Sequence, residues 1–289
     1  MISIIVCSID ERNFANFQTS LKNTIGVDYE LIKIENSTTD YSLAKAYNIG
    51  AAKAVFPFVC FVHEDVLFRS KKWGEDLIGF FEGNPAAGVA GIAGSTVKTL
   101  TPSIWANGLF DTDYYNLIQY YEKTNSYAHL QFRSGDEDYV EVKTLDGVFL
   151  FTKKEIWEAK KFDETLAKFH CYDLDFCINV GQHKTNYVAF TILLEHLSNG
   201  SLNRDWAEAS IRLAEKWKHL LPLGNLDKKK MMALEWKNRK VFFYRMNILN
   251  YSPKQIIFQF LKWNYLRNFS FTNHFSFAKE LLKLKLKAK

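Results

Sequence analysis

VFPFVCFVHEDV, residues 55–66, is an apolar run that stops on three polar groups of unlike chemistry, His63, Glu64 and Asp65. The run itself predicts a buried strand. A Gly or Asn would reverse the chain more simply, so charge at this strand's end predicts that something charged is held there. The rest of the chain must say what.

Strand and helix signals alternate around this stretch. ISIIVCS reads as a buried strand, ERNFANFQTSLKN as a helix, and YELIKIEN as an alternating strand. LAKAYNIGAAKA, after STTDYS, places Leu43, Ala46, Tyr47, Gly50, Ala51 and Ala54 on one helical face. KKWGEDLIGFFEG groups Trp73, Leu77, Phe80 and Phe81. Alternation of this kind predicts βαβ units and an α/β fold with a mainly parallel sheet flanked by helices. Ligands of such sheets bind beyond the strands' carboxyl ends. Ser8 to Arg12, Glu35 to Thr38 and His63 to Asp65 thus become neighbours in one crevice.

No GxGxxG follows the first strand and no GxxxxGK[ST] occurs, so the commonest phosphate cradles are excluded. A phosphorylated ligand here would need another partner for its charge, most simply a divalent metal. Asp65 is a hard oxygen ligand suited to Mg²⁺ or Mn²⁺, and His63 is tolerable to Mn²⁺.

The second half adds polar groups at matching places. VKTLDGVFLFTKKEIW is a strand running into a helix, interrupted by Asp146-Gly147. In FDETLAKFHCYDLDFCINVGQ, Asp173 and Asp175 precede a helix face of Phe176, Cys177 and Val180. One such acid is explained as a helix cap; two beside His170 and Tyr172 are not so easily dismissed. NYVAFTILLEHLSNGS reads as one strand ending on Glu195 and His196. A lone His is more often structural than a ligand, but this one ends a strand as His63 does.

The 289 residues allow one large domain, or one with an appendage. Cys7, Cys60, Cys171 and Cys177 form no CxxC pair and read as reduced, packed thiols of a cytosolic protein. MISIIVCSIDER lacks the basic start and long apolar stretch of a signal peptide. From Asn225 to Lys289 there are 15 Lys/Arg against 3 Asp/Glu, and 13 of the 45 aromatic residues. The chain therefore divides into an acidic body, 1–224, and a basic, aromatic helical extension, 225–289.

In order, these landmarks resemble the family 2 glycosyltransferases of the GT-A, Rossmann-like fold, over roughly residues 1 to 220. The first strand, with Ser8 and Glu11, resembles the element that meets the nucleotide base. IENSTTD resembles vDdgStD, with Glu35 at the base- or ribose-contacting Asp and Asn36 beside it. SLAKAYNIGAAKA is similar to the family's ArN helix, which puts Asn48 at the Asn position and Lys53 near the phosphates. FVHEDV stands where the family has fLDaDd. His63 then replaces the first acid of the DxD motif, Glu64 lies between, and Asp65 keeps the usual metal ligand. LDGVFLF resembles the acceptor-side strand with Asp146 and Gly147. YDLDFC resembles EDvDlc, with Asp173 at the catalytic base, Tyr172 where the motif has Glu, and Asp175 following. EHLSNGS resembles the loop whose His, here His196, is a further metal ligand.

The resemblance implies an inverting transfer from a nucleotide-sugar donor, UDP-sugar favoured, to a hydroxyl of a glycan or lipid-linked acceptor in bacterial surface polysaccharide assembly. Mn²⁺ or Mg²⁺ is the implied cofactor. The extension, basic and aromatic in helical stretches, reads as a membrane-surface element, with a packed hairpin or homodimer face as the alternative. That implies a cytoplasmic enzyme held peripherally at the inner leaflet. No nucleic-acid motif accompanies the basic patch. Two other classes stay open: a nucleotidyltransferase acting on sugar phosphates, and an inactive sugar-nucleotide-binding scaffold.

Overall fold

The computed structural model describes residues 1–108, 111–166, 169–198, 200–262, 271, 274–276 and 278–279. Strand β1 (Ile2–Ser8) is buried at every position, as a strand covered on both faces must be. Helix α1 (Glu11–Lys22) follows, capped by the Asp10 side chain, which accepts from the Asn13 amide. Then come β2 (Tyr29–Glu35), α2 (Leu43–Lys53) and β3 (Phe58–His63). β4 (Val66–Phe68), α3 (Trp73–Gly83), β5 (Ala87–Gly91) and β6 (Ala93–Ser95) lead into a hairpin of β7 (Asp113–Tyr121) and β8 (Ser126–Phe132). β9 (Tyr139–Val142), β10 (Thr144–Leu145), β11 (Phe149–Lys153), α4 (Lys154–Lys160), α5 (Tyr172–Val180), β12 (Thr185–Ala189) and β13 (Leu194–His196) follow. The last elements are α6 (Arg204–Lys216), α7 (Lys228–Ile248) and α8 (Pro253–Lys262).

The main sheet has seven strands in the order β2-β1-β3-β11-β5-β12-β9. β1 is parallel to β2 and β3, and β12 to β5, while β11 and β9 run against their neighbours. Both faces are covered. Phe58, Cys60 and Val62 of β3 face Phe17, Leu21, Trp73 and Phe81. Val59 and Phe61 face Tyr47, Trp157, Tyr172 and Phe176. The period of two in β3 thus splits its apolar run between two cores. All four cysteines are buried and unpaired.

A second sheet, β10-β6-β7-β13-β4 with β8 on β7, was not foreseen. NYVAFTILLEH is accordingly not one strand: β12 lies in the main sheet and β13 in the second, because the chain changes sheets at residues 190–193.

Three registers assemble one edge. Ser8 lies opposite Glu35, and Cys7 opposite His63. The antiparallel β11 begins at this edge, with the His63 amide donating to Val148 O at 3.1 Å. β13 sets His196 opposite Val66, one residue from Asp65, and also opposite Gln119 of β7.

The expected division at 224/225 is not a packing boundary. Trp236, Phe242, Phe243 and Met246 of α7 share a core with Trp206 and Ile211 of α6 and with Ile256 and Phe260 of α8. The buried Glu235 carboxylate accepts from the Leu100 amide at 2.6 Å, the Thr101 amide at 3.1 Å and Thr101 Oγ1 at 2.6 Å. Charge composition changes at 225, but the apolar face of α7 still has to be buried, and α6 supplies the partner. Among the described residues no helix is long and apolar enough to cross a membrane. The basic end of the extension, residues 280–289, lies outside the described residues.

Candidate active site

His63, Asp65 and His196 stand together at the shared edge, their ligand atoms all within 4.8 Å of one another. Asp65 Oδ1 is 4.0 Å from His63 Nδ1, and Oδ2 is 3.6 Å from His196 Nε2. The proton on each ring can be placed from its neighbours. The Gln119 side-chain amide donates from Nε2 to the carbonyls of Tyr120, His196 and Ser198 at 3.0, 3.2 and 2.8 Å. That fixes which end of the amide is oxygen: Oε1 lies 3.2 Å from His196 Nδ1 and can only accept. Nδ1 therefore carries the proton, and Nε2 faces Asp65, with the Ser198 hydroxyl 3.5 Å from the same nitrogen.

On the other side, His63 Nε2 lies 3.0 Å from the Tyr172 hydroxyl, which itself donates to Gly147 O at 3.0 Å. With that proton on Gly147 O, His63 Nε2 is the donor and Nδ1 turns its lone pair toward Asp65. Burial holds His63 below the ordinary imidazole value, so it stays neutral. Burial would raise the Asp65 carboxyl, but the positive charge His63 and His196 take on when acid protonates them, with a Ser198 hydrogen bond, outweighs it and holds it low. Two imidazole lone pairs converging on an ionised carboxylate make a donor set that fits a divalent cation.

Asp173 lies in the first turn of α5. Its Oδ2 accepts from the Gly147 amide at 2.9 Å. Burial, then the nearby Asp146 charge, pushes its carboxyl up to about 7. A carboxylate poised there can take a proton near neutrality. Asp146 Oδ1 itself accepts from the Val148 amide at 2.9 Å. Gly147 is sterically required, since an added Cβ would come within 2.2 Å of the Tyr172 hydroxyl.

Other residues expected at the site are occupied elsewhere. Asn48 donates to Phe162 O and Glu164 Oε1, both at 2.9 Å, and accepts from Trp157 Nε1 and the Phe162 amide, both at 3.1 Å. It fastens α2 to the segment after α4 and has no capacity left for a donor. Lys53 closes the last turn of α2, near the start of β3, where Phe58 pairs with Ile2. An 11-residue helix rising about 1.5 Å per residue carries Lys53 to the opposite edge of the sheet.

Both Glu64 oxygens lie 3.1–3.2 Å from the Ile9 and Asp10 amides. Glu64 holds the β1–α1 loop and stands outside the His63–Asp65–His196 group. Asp175 is 1% exposed and bound by Trp217 Nε1 at 2.7 Å and by Lys216. It joins α5 to α6 and does not face an acceptor. Tyr172, also expected on the acceptor side, is buried behind His63.

The outer rim is different again. Glu11 and Glu35 both bind Lys33, and the exposed Glu35 is held down to about 2 by Ser37 and Lys33. Asn36 accepts from the Tyr41 amide at 2.8 Å and Thr39 Oγ1 at 2.7 Å, shaping the loop before α2. The Ser8 hydroxyl is fully buried and has no hydrogen-bond partner. Gln119 was not foreseen. No local pattern marks it, and only its register opposite His196 reveals it.

The mixed seven-stranded sheet with helices on both faces, taken with the family and structural matches that follow, is a GT-A glycosyltransferase architecture. A profile of the glycosyltransferase-like family matches residues 3–214, and the chain belongs to that family. A search of curated protein sequences finds no match. Among solved structures, GalNAc-T7 with UDP, GalNAc and Mn²⁺ is similar at a TM-score of 0.52 and 10% identity, covering 86% of this chain and 56% of that one. This chain thus spans little more than half of that structure. Residues 1–349 of S. aureus TarS in complex with UDP align at a TM-score of 0.46 and 13% identity, covering 84% and 72% of the two chains.

Proposed function

We propose that this protein is an inverting glycosyltransferase that moves a sugar from a nucleotide-sugar donor, UDP-sugar favoured, to an acceptor hydroxyl. The observation that carries this reading is the pairing, at one edge, of the His63–Asp65–His196 group with Asp173 poised near neutrality. GalNAc-T7, which shares the fold, is crystallised with UDP, GalNAc and Mn²⁺, which supports a diphosphate donor and a cation. Two imidazoles among three ligands favour Mn²⁺ over the harder Mg²⁺. A cation bound by these three side chains supplies Lewis-acid charge to the departing nucleoside diphosphate.

Asp173 accepts the proton of the acceptor hydroxyl through a carboxylate oriented by the Gly147 amide. Attack from the face opposite the departing group inverts the anomeric centre. Glu64 and Asn36 act indirectly, by holding the β1–α1 loop and the loop before α2. The acceptor is a glycan or a lipid-linked glycan.

We further propose that the outer face of α7 and α8 rests on an anionic membrane surface. Lys240, Val241, Tyr244 and Ile248 are exposed at helical spacing, and Lys254, Phe258 and Leu261 are exposed on α8.

Calorimetric titration with UDP-sugars, with and without Mn²⁺, tests the centre. Asp65→Ala is expected to abolish Mn²⁺-dependent donor binding and transfer while far-UV circular dichroism is unchanged. Donor binding indifferent both to this substitution and to EDTA overturns the metal reading.

A further inference from the structure

Two positions at which this chain departs from the family pattern, His63 and Tyr172, lie 109 residues apart in sequence and touch in the fold. A carboxylate at position 63 accepts through either oxygen. An imidazole has one lone pair, and its place depends on where the ring proton sits. A His at 63 is thus useful to a cation only if something behind it holds the proton on Nε2. The Tyr172 hydroxyl does so. Its single proton has the Gly147 carbonyl, which can only accept, at 3.0 Å; with the proton placed there, the hydroxyl accepts from His63 Nε2 at the same distance.

We propose that Tyr172 is a positioning residue that locks His63 in its Nε2–H tautomer and aims Nδ1 at the Asp65 site. Two further features fit the assignment. Gly147, lacking a side chain, leaves room for the hydroxyl. The Tyr172 ring is 4% exposed and packs on Tyr47 and Phe162 at centroid distances of 5.6 and 5.9 Å. Those aromatic contacts do not need the hydroxyl, so a Phe in its place keeps the cage.

The lock gains its purpose from the metal centre proposed above, but its test does not depend on that centre. Long-range ¹H–¹⁵N spectra of histidine-labelled, metal-free protein read the tautomer directly. Wild type is expected to show His63 protonated on Nε2, and Tyr172→Phe to show a mixture. Mn²⁺ affinity, read by electron paramagnetic resonance of the free ion, is expected to fall about 10- to 100-fold in Tyr172→Phe. It should fall no further when Tyr172→Phe is added to His63→Ala, because the hydroxyl acts through that ring.

An Nδ1–H tautomer in the wild type overturns the proposal, and needs no variant to fold. So does a Tyr172→Phe protein with unchanged tautomer, or one whose Mn²⁺ loss persists undiminished in the His63→Ala background. A wild type that binds no Mn²⁺ removes the metal centre, while the tautomer shift in Tyr172→Phe still decides the lock.

Discussion

The α2 side of the crevice and its β3–β13 side both carry polar residues that the sequence singles out, yet they use them differently. On the α2 side, Asn48 spends both ends of its amide on four protein partners. On the β3–β13 side, Asp65 faces two imidazole nitrogens at 3.6 and 4.0 Å, too far for direct hydrogen bonds. Each imidazole there is held through one nitrogen and turns the other toward Asp65, His196 with the Ser198 hydroxyl 3.5 Å from that second nitrogen. A polar side chain that structure needs is saturated by structure, whereas one kept for a ligand retains capacity. The same test separates two aspartates of α5 only two residues apart. Asp175 is closed by Trp217 and Lys216, while Asp173 meets only backbone amides, Gly147 at 2.9 Å among them, and has a carboxyl displaced to about 7.

The largest loss of activity is expected at Asp173. Asp173→Asn is expected to lower kcat by at least about 10²- to 10⁴-fold while leaving donor binding intact. Turnover near the wild-type rate would move the base elsewhere, with Asp146 the remaining carboxylate at that edge. In wild type, the rate limited by this base should fall toward tenfold per pH unit below about pH 7. Stability runs the other way. The folded value lies above the ordinary 3.9 or so of an unfolded Asp, so folding favours the neutral form. That contribution is present at acid pH and lost as pH rises through about 7. Asp173→Asn, which cannot ionise, should then be at least as stable as wild type at pH 8 by thermal melting.

Next in size is Glu235. Glu235→Ala strands the Leu100 and Thr101 amides, and is expected to cost about 3 kcal/mol by urea denaturation. For the same reason, truncation after Leu223 should yield an unfolded or aggregating chain. A stable, donor-binding truncation would restore the extension as a separate unit.

Asn48→Ala should cost about 2 kcal/mol of stability with little change in kcat per folded molecule. A large kcat loss at full stability would return Asn48 to the donor site. The smallest effect is at the membrane face, where flotation with anionic vesicles should weaken as salt rises without vanishing, since salt screens the lysines but not the apolar contacts. Indifference to vesicles at low salt would leave the exposed Val241–Tyr244–Ile248 stripe to another partner.

The βαβ alternation, the meeting of the β1, β2 and β3 ends at one sheet edge, and the residue types gathered there are all readable from the chain alone. This is so because a buried strand's period and a polar stop are local signals. Those signals and the order of family landmarks single out His63, Asp65, Asp173 and His196, and the fold brings His63, Asp65 and His196 together. Which polar groups are already occupied is settled by the folded contacts, because hydrogen-bond partners such as Phe162 for Asn48 or Trp217 for Asp175 lie far along the chain. The folded contacts also decide Gln119, which has no motif and acquires its place solely from the pairing of β7 with β13. The extension taught the same lesson at larger scale. Its charge was visible in the sequence, but its attachment to the body depends on which apolar surface lies across from α7, and no local pattern states that.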